Sequence, residues 1–154
     1  MEIPIEYFRN EKMEFGGAVL YFLNDETLNN LNDESTNNRS AVFKLVYGKT
    51  SFLFTGDVEK DGEKYYSAKY KNFLDSDVLK VSHHGSQTSS SEIFLNYVTP
   101  ELSLVSAGFK NKFGHPAVEI LERLRSTGSA IVRTDLEKAI LLRSNGYQIT
   151  LIDW

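Results

Sequence analysis

The sequence predicts a layered α/β or α+β domain in which helices pack on a β-sheet. Before Asp57 the chain consists mainly of short apolar runs typical of strands, and after it strands alternate with amphipathic helical segments. No internal repeat or linker divides the chain, so we expect a single domain over residues 1–154. A hydrophobic content of 41% and a charged content of 25% are typical of a globular protein with an ordinary core.

The first part of the chain indicates strands joined by turns. Residues 3–7 predict a weak edge strand, and residues 18–23 predict a strand that is buried on both faces. The polar residues 24–39 predict a loop, because they offer no apolar side chains to bury. Residues 41–47 and 51–55 then predict two strands of a hairpin.

Helices and strands alternate in the second part. Helices are expected at residues 59–73, 92–98 and 117–126, the last with Pro116 at its start and Gly128 after its end. Strands are expected at residues 77–81, 102–106 and 130–133. The dipeptide Asn145-Gly146 predicts the turn of a final hairpin, because both residues tolerate positive φ.

Composition limits the chemistry. The chain has no cysteine, which excludes disulfides, cysteine-ligated zinc and a thiol nucleophile, so any metal must be held by His, Asp or Glu. A net charge of −4 argues against a broad basic face that grips nucleic acid nonspecifically. No apolar run is long enough to span a membrane, and no secretory signal opens the sequence.

Four polar side chains follow predicted strands at the point where each strand ends. Asp57 follows residues 51–55, His83 and His84 follow residues 77–81, and His115 follows the next strand after a longer loop. Side chains at the same end of neighbouring strands converge, and an aspartate with up to three imidazoles suits Zn²⁺, Mn²⁺ or Fe²⁺. Each motif alone also fits an ordinary turn, surface histidine or helix start.

The order of these motifs resembles the metallo-β-lactamase superfamily, and most closely the hydrolase domain of ComEC-type competence DNA-uptake proteins. The resemblance rests on Thr55-Gly56-Asp57, on the run from His83 to Ser86, on Asn111 to Pro116, and on Arg133-Thr134-Asp135. It extends over most of the chain, from about residue 37 to about residue 146. It implies an α+β fold of the αββα sandwich type, with a zinc or manganese site at one rim and two metals in the complete domain.

The resemblance also implies roles for individual residues. Asp57 would bridge the metals, one of His83 and His84 would be a ligand or a transition-state donor, and His115 would be a ligand or a substrate contact. The implied metal ligands are Asp57, His83, His84 and His115, and the implied catalytic residues are Asp57, His84 and His115. Ser86, Asn111 and Lys112 would contact the substrate phosphate, although Lys112 fits a solvated loop lysine equally well.

One departure from the superfamily pattern concerns its first metal motif. A His-x-His-x-Asp-His cluster, or its ComEC-type variant, should precede Ala18, yet no histidine precedes His83. The chain therefore resembles the C-terminal portion of such a domain. We expect weak metal binding, poor activity for the isolated chain, and self-association through the exposed half of the sandwich.

Three functional interpretations follow. The first is a metal-dependent hydrolase, a phosphodiesterase or nuclease, whose substrate is a phosphodiester such as DNA. The second is a catalytically silent module of the same fold that binds nucleic acid or a protein. The third is a structural domain that needs no metal. The chain would be soluble, either cytoplasmic or an extracytoplasmic domain of a bacterial membrane protein.

Overall fold

The computed structural model describes residues 11–25 and 35–152, so the edge strand expected at residues 3–7 lies outside the described residues. Its main feature is a sheet of seven strands arranged in chain order. Four are antiparallel neighbours: β1 (Lys12–Phe15), β2 (Ala18–Phe22), β3 (Phe43–Tyr47) and β4 (Thr50–Phe54). Three continue from β4 as parallel strands: β5 (Val78–Lys80), β6 (Leu102–Val105) and β7 (Ala130–Arg133).

Three helices cover one face of this sheet. They are α1 (Lys60–Tyr70), α2 (Glu92–Val98) and α3 (Val118–Ser126), and a short α4 (Thr134–Glu137) follows β7. The core lies between the helices and the parallel strands, where Leu53 and Leu79 pack in one cluster with Phe94 of α2 and Leu124 of α3. These side chains are at most 1% exposed, so their burial supplies the main hydrophobic stabilisation of the fold.

The opposite face of the sheet is apolar but only partly covered. Side chains alternate along β4, so Leu53 points to the helices while Phe52 and Phe54 remain half-buried on the other face. Phe43 stacks on Phe54 with ring centroids 4.7 Å apart. A hairpin of β8 (Leu141–Ser144) and β9 (Ile149–Ile152) lies beside this face and shares with it an apolar cavity of about 480 Å³.

The structure confirms the α+β class and corrects several details. In the strand predicted at residues 18–23, residues 18–22 are half-buried rather than buried on both faces, whereas Leu23, just after β2, is 2% exposed. In α3, Val118 is 69% exposed, whereas Ile120, Leu121 and Leu124 are buried. Strand β1 and helix α4 were not predicted. No helix in the described ranges is both long and apolar enough to cross a membrane.

Candidate functional site

The carboxyl ends of β4, β5 and β6 lie at one edge of the sheet because the three strands are parallel neighbours. The turn with Asp57 follows β4, the adjacent His83 and His84 follow β5, and the loop with His115 follows β6. We call the group at this edge the histidine rim, and it consists of Asp57, Glu59, His83, His84 and His115. Residues far apart along the chain thus meet at one place.

Hydrogen bonds and close packing hold the loops of the rim together. The Ser82 hydroxyl donates to Thr55 Oγ1 at 2.7 Å, which joins the ends of β5 and β4. Ala117 N donates to the Gly85 carbonyl at 2.9 Å, which joins the histidine turn to the loop after β6. A Cβ at Gly85 would lie 2.6 Å from Pro116 Cβ, and Gly85 has φ +80°, so only glycine fits this close approach without strain.

The two adjacent histidines have an unusual backbone. His83 has φ 47° and ψ 43°, and His84 has φ 55° and ψ 19°, so both lie in the left-handed region. Consecutive non-glycine residues in this region are uncommon and cost free energy that the surrounding structure must offset. The strained turn sends the two imidazoles to different carboxylates.

His84 lies between Asp57 and a backbone carbonyl. Its Nδ1 is 2.6 Å from the Ser106 carbonyl oxygen, which accepts only, so Nδ1 carries the hydrogen. Its Nε2 is then directed at Asp57, 3.6 Å from Oδ1. The side chains of His84 and Asp57 are 46% and 42% exposed, so this pair is open to solvent and to a ligand.

His83 pairs with Glu59, a residue that the sequence analysis did not select. His83 Nδ1 is 3.3 Å from Glu59 Oε1, and the Thr88 hydroxyl donates to the same oxygen at 2.9 Å. Burial opposes ionisation of Glu59, but hydrogen bonds from Ser35, Thr88 and Asn37 together lower its pKa. Glu59 follows Asp57 by two positions in the same turn, which is the signal that could have indicated it.

His115 stands apart from the carboxylates. Its ring is 5.9 Å from the His83 ring and stacks on Phe113 with an interplanar angle of 16°. Burial lowers the pKa of His115, and the neighbouring His83 and His84 lower it further. Asn111 fixes the loop, because its Oδ1 accepts from His115 N at 3.0 Å and its Nδ2 donates to the His115 carbonyl at 2.6 Å.

The three residues predicted to contact a substrate phosphate have different surroundings. Ser86 is 7% exposed, and its hydroxyl lies 3.1 Å from the hydroxyl of Thr88. The amide of Asn111 is engaged by the loop that carries His115. Lys112 is exposed, with Nζ 5.0 Å from the centre of the Phe113 ring. Of the three, Lys112 is therefore the one best placed to meet a ligand from solvent.

Two exposed aromatic rings lie on the loop that carries His115, each with a lysine over it. We call Phe109, Lys110, Lys112 and Phe113 the aromatic–lysine loop. Phe109 is 73% exposed and Phe113 is 69% exposed. Lys110 Nζ lies 5.3 Å from the Phe109 ring, which matches the Lys112–Phe113 arrangement. The neighbouring aromatic and basic residues in the sequence are the signal that could have indicated this loop.

Two cavities adjoin this loop. One, of about 390 Å³, opens between His84 and the loop after β6. The other, of about 650 Å³, is bordered by Ser86 and Thr88. Phe113 and His115 line both cavities, so their stacked rings form a wall between them. Volumes in this range suit a small ligand or one unit of a longer one.

The metal centre expected at the rim concerns Asp57, His83, His84 and His115. Across residues 11–25 and 35–152, no three His, Asp or Glu side chains are arranged to hold one ion. The rim divides instead into the pairs His84–Asp57 and His83–Glu59, with His115 against Phe113. Zinc sites need three or four protein ligands around one point, and the zinc or manganese site therefore stays a prediction.

Comparison with known proteins finds relatives in bacterial competence. The chain is 38% identical over 130 residues to competence protein ComA of Neisseria gonorrhoeae, which covers 84% of this chain and 18% of the relative. It is 38% identical over 109 residues to ComE operon protein 3 of Bacillus subtilis strain 168, covering 71% of this chain and 14% of the relative. It is 36% identical over 105 residues to recombination protein 2 of Haemophilus influenzae, covering 68% of this chain and 13% of the relative.

The chain thus spans less than a fifth of the length of these curated relatives. No family model matches the chain. The names of these relatives refer to competence, to the ComE operon and to recombination, and none refers to a hydrolase. These findings overturn the expected membership of the metallo-β-lactamase hydrolases, and with it the prediction of a metal-dependent phosphodiesterase or nuclease.

Proposed function

We propose that this chain is a module of a DNA-uptake protein that contacts single-stranded DNA by binding and not by hydrolysis. The competence relatives support a role in DNA uptake. The observation that carries the proposal is the aromatic–lysine loop, where Phe109 and Phe113 are both more than two-thirds exposed and each lies under a lysine ammonium group. Aromatic platforms beside positive charge are the usual means of holding unpaired bases.

The position of Phe113 supports this mode of binding. One face of its ring stacks on His115, which holds the ring in place, and the ring borders two cavities. A base stacked at this wall would leave its sugar and phosphate near Lys112 or near the hydroxyl of Thr88, which borders the larger cavity. Because every base has a π-face, such a site would tolerate most sequences.

The charge distribution favours a short single strand over a duplex. The chain carries a net charge of −4, and the carboxylates Asp57 and Glu59 lie within the rim, so no broad phosphate-binding face is present in the described residues. If Lys110 and Lys112 neutralise two phosphates, the logarithm of the binding constant should fall with the logarithm of salt with a slope of about −1.4. Stacking would then supply most of the binding free energy.

Fluorescence anisotropy with a labelled thymidine oligonucleotide tests the proposal. Phe113→Ala should weaken binding by about fivefold to about 150-fold, because base–aromatic stacking contributes about 1–3 kcal/mol. Tyr147→Ala is the matched control, since Tyr147 is 74% exposed and lies under Lys49 in the same way, but on the hairpin after β8. Circular dichroism of each variant shows whether the fold is retained.

The results separate the binding alternatives. Equal loss of affinity in Phe113→Ala and Tyr147→Ala would contradict a role that is specific to the aromatic–lysine loop. Absence of any oligonucleotide binding by the native chain would refute the proposal and leave a protein partner as the occupant of the rim. Duplex binding that exceeds single-strand binding would contradict the stacking mode, because paired bases do not expose their faces.

A further inference from the structure

Strand β1 is the outer edge of the sheet, and all four of its residues are exposed. Phe22 N donates to the Glu11 carbonyl at 2.9 Å, and hydrogen-bonded pairs alternate along antiparallel strands, so Glu11 and Met13 turn their backbone groups toward β2. The backbone N–H and C=O groups of Lys12 and Glu14 therefore face outward. No strand in the described ranges lies on that side.

We propose that this edge pairs with β1 of a second copy of the chain, antiparallel and with the two-fold axis at Met13. In that register Lys12 of each copy lies opposite Glu14 of the other, and these are the residues whose backbone groups face outward. Each Lys12–Glu14 pair would exchange two backbone hydrogen bonds and place opposite charges side by side. Met13 would face Met13 of the second copy at a non-hydrogen-bonded position.

Charge selects this register over its neighbours. Moving the axis to Lys12 would place the two lysines opposite each other, and moving it to Glu14 would place the two glutamates opposite each other. Like charges directly opposite in a sheet are destabilising. Within one copy Lys12 Nζ contacts Glu14 Oε1 at 2.7 Å, and pairing at Met13 would place each of these side chains beside an opposite charge of the second copy as well.

The side chains of β1 also continue the apolar face of the sheet. Met13 lies opposite Leu20 and Phe15 opposite Ala18, on the face that the helices do not cover. Met13 is 41% exposed and Phe15 is 55% exposed. Pairing of two copies would bring these side chains next to their counterparts and remove part of this apolar surface from water. The partner of this edge is thus a second copy of the chain, because two copies of β1 match each other in charge and in their apolar side chains.

Sedimentation velocity on the native chain and on charge variants tests the dimer. The native chain should dimerise as its concentration rises from micromolar to millimolar. Lys12→Glu and Glu14→Lys should each be monomeric, because like charges would then meet across the axis. An equimolar mixture of the two variants should dimerise again, because one copy carries two glutamates and the other two lysines at these positions. This recovery would not occur if a variant were merely misfolded.

Cysteine cross-linking tests the register. The chain has no cysteine of its own, so Met13→Cys offers a single thiol per copy. Oxidised glutathione should convert it to a disulfide-linked dimer, because facing residues at this position lie about 4.5 Å apart between Cα atoms, within disulfide reach. Phe15→Cys is the control. With the axis at Met13, the two cysteines would be offset by four residues along the strands, about 13 Å, so they should remain free thiols or form mixed disulfides with glutathione.

A native chain that stays monomeric, or a variant mixture that fails to associate, overturns the proposal. Equal cross-linking at positions 13 and 15 would overturn the register even if a dimer forms. None of these measurements involves DNA, so they are independent of the proposed function.

Discussion

The buried carboxylate of Glu63 should anchor the loop that leads from the histidine rim into α2. Glu63 is 0% exposed, its Oε1 accepts from Ser90 N, and its Oε2 accepts from Ser91 N at 2.7 Å. Arg123 closes the arrangement by donating from Nη1 to the Ser90 carbonyl at 2.7 Å. One acidic side chain of α1 therefore binds the backbone of the serine cluster that follows the histidines.

Replacing this side chain should cost several kcal/mol. Hydrogen bonds to a charged group contribute about 1.5–3 kcal/mol each, so the two bonds together contribute about 3–6 kcal/mol. Removal of the carboxylate also removes its desolvation penalty, which opposes that loss. We therefore expect Glu63→Ala to lower the free energy of unfolding by about 3 kcal/mol, the lower end of that range.

Urea denaturation followed by circular dichroism measures this change. Glu122→Ala, at an exposed position of α3, is the control and should stay within about 0.5 kcal/mol of the native protein. Glu63→Gln keeps one carbonyl acceptor and should lose less stability than Glu63→Ala. A loss in Glu63→Ala no larger than that of the control would refute the anchoring role.

The same site predicts a pH dependence. Burial raises the pKa of Glu63, so the folded chain binds a proton at a pH where the unfolded chain has released it. Stability should therefore fall as pH rises from the ordinary glutamate pKa through the raised one. Glu63→Gln should remove this contribution to the pH dependence of stability. If the urea midpoint of the native chain did not fall more steeply with rising pH in that window than the midpoint of Glu63→Gln, the reasoning would be contradicted.

Three further predictions concern packing and charge elsewhere. Gly85→Ala should lower stability by about 1–3 kcal/mol, because its Cβ would meet Pro116 at 2.6 Å, and the loss should appear in urea midpoints. Phe94→Ala should cost about 3–5 kcal/mol, since Phe94 is 1% exposed, and a loss below 1 kcal/mol by the same assay would refute its place in the core. The hydrogen-bonded Arg133 lowers the pKa of Asp135. The stability that the ionised Asp135 contributes should therefore be lost as pH falls through that lowered pKa. Asp135→Asn lacks this group, so its free energy of unfolding should fall less in acid than that of the native chain.

Much of the fold was predictable because local patterns agree with the final packing. Residues 92–98 form the predicted helix α2, and the Asn145-Gly146 turn joins the predicted final hairpin. These features depend on side-chain periodicity and on backbone preferences at a turn, which are local properties. Strand β1 was not predicted, although Lys12-Met13-Glu14-Phe15 alternates polar and apolar residues, the pattern typical of a strand with one apolar face.

The site was less predictable, since it depends on distances between loops. The selected residues Asp57, His83, His84 and His115 meet at one edge of the sheet, as parallel strands require. Glu59 entered the rim because its turn brings it to His83, and Asn111 turned inward to bind its own loop. Similarity of motifs also suggested a hydrolase, which the competence relatives overturned.

The sequence by itself determined the α+β class, the alternation of strands and helices after Asp57, and the strand ends at which polar side chains would gather. Periodicity and turn residues carry that information locally. Only the tertiary structure decided that the rim separates into two histidine–carboxylate pairs and that the exposed Phe109 and Phe113 each lie under a lysine. The reason is that a contact between loops depends on backbone angles, such as the left-handed turn at His83 and His84, that neighbouring residues in the sequence do not impose.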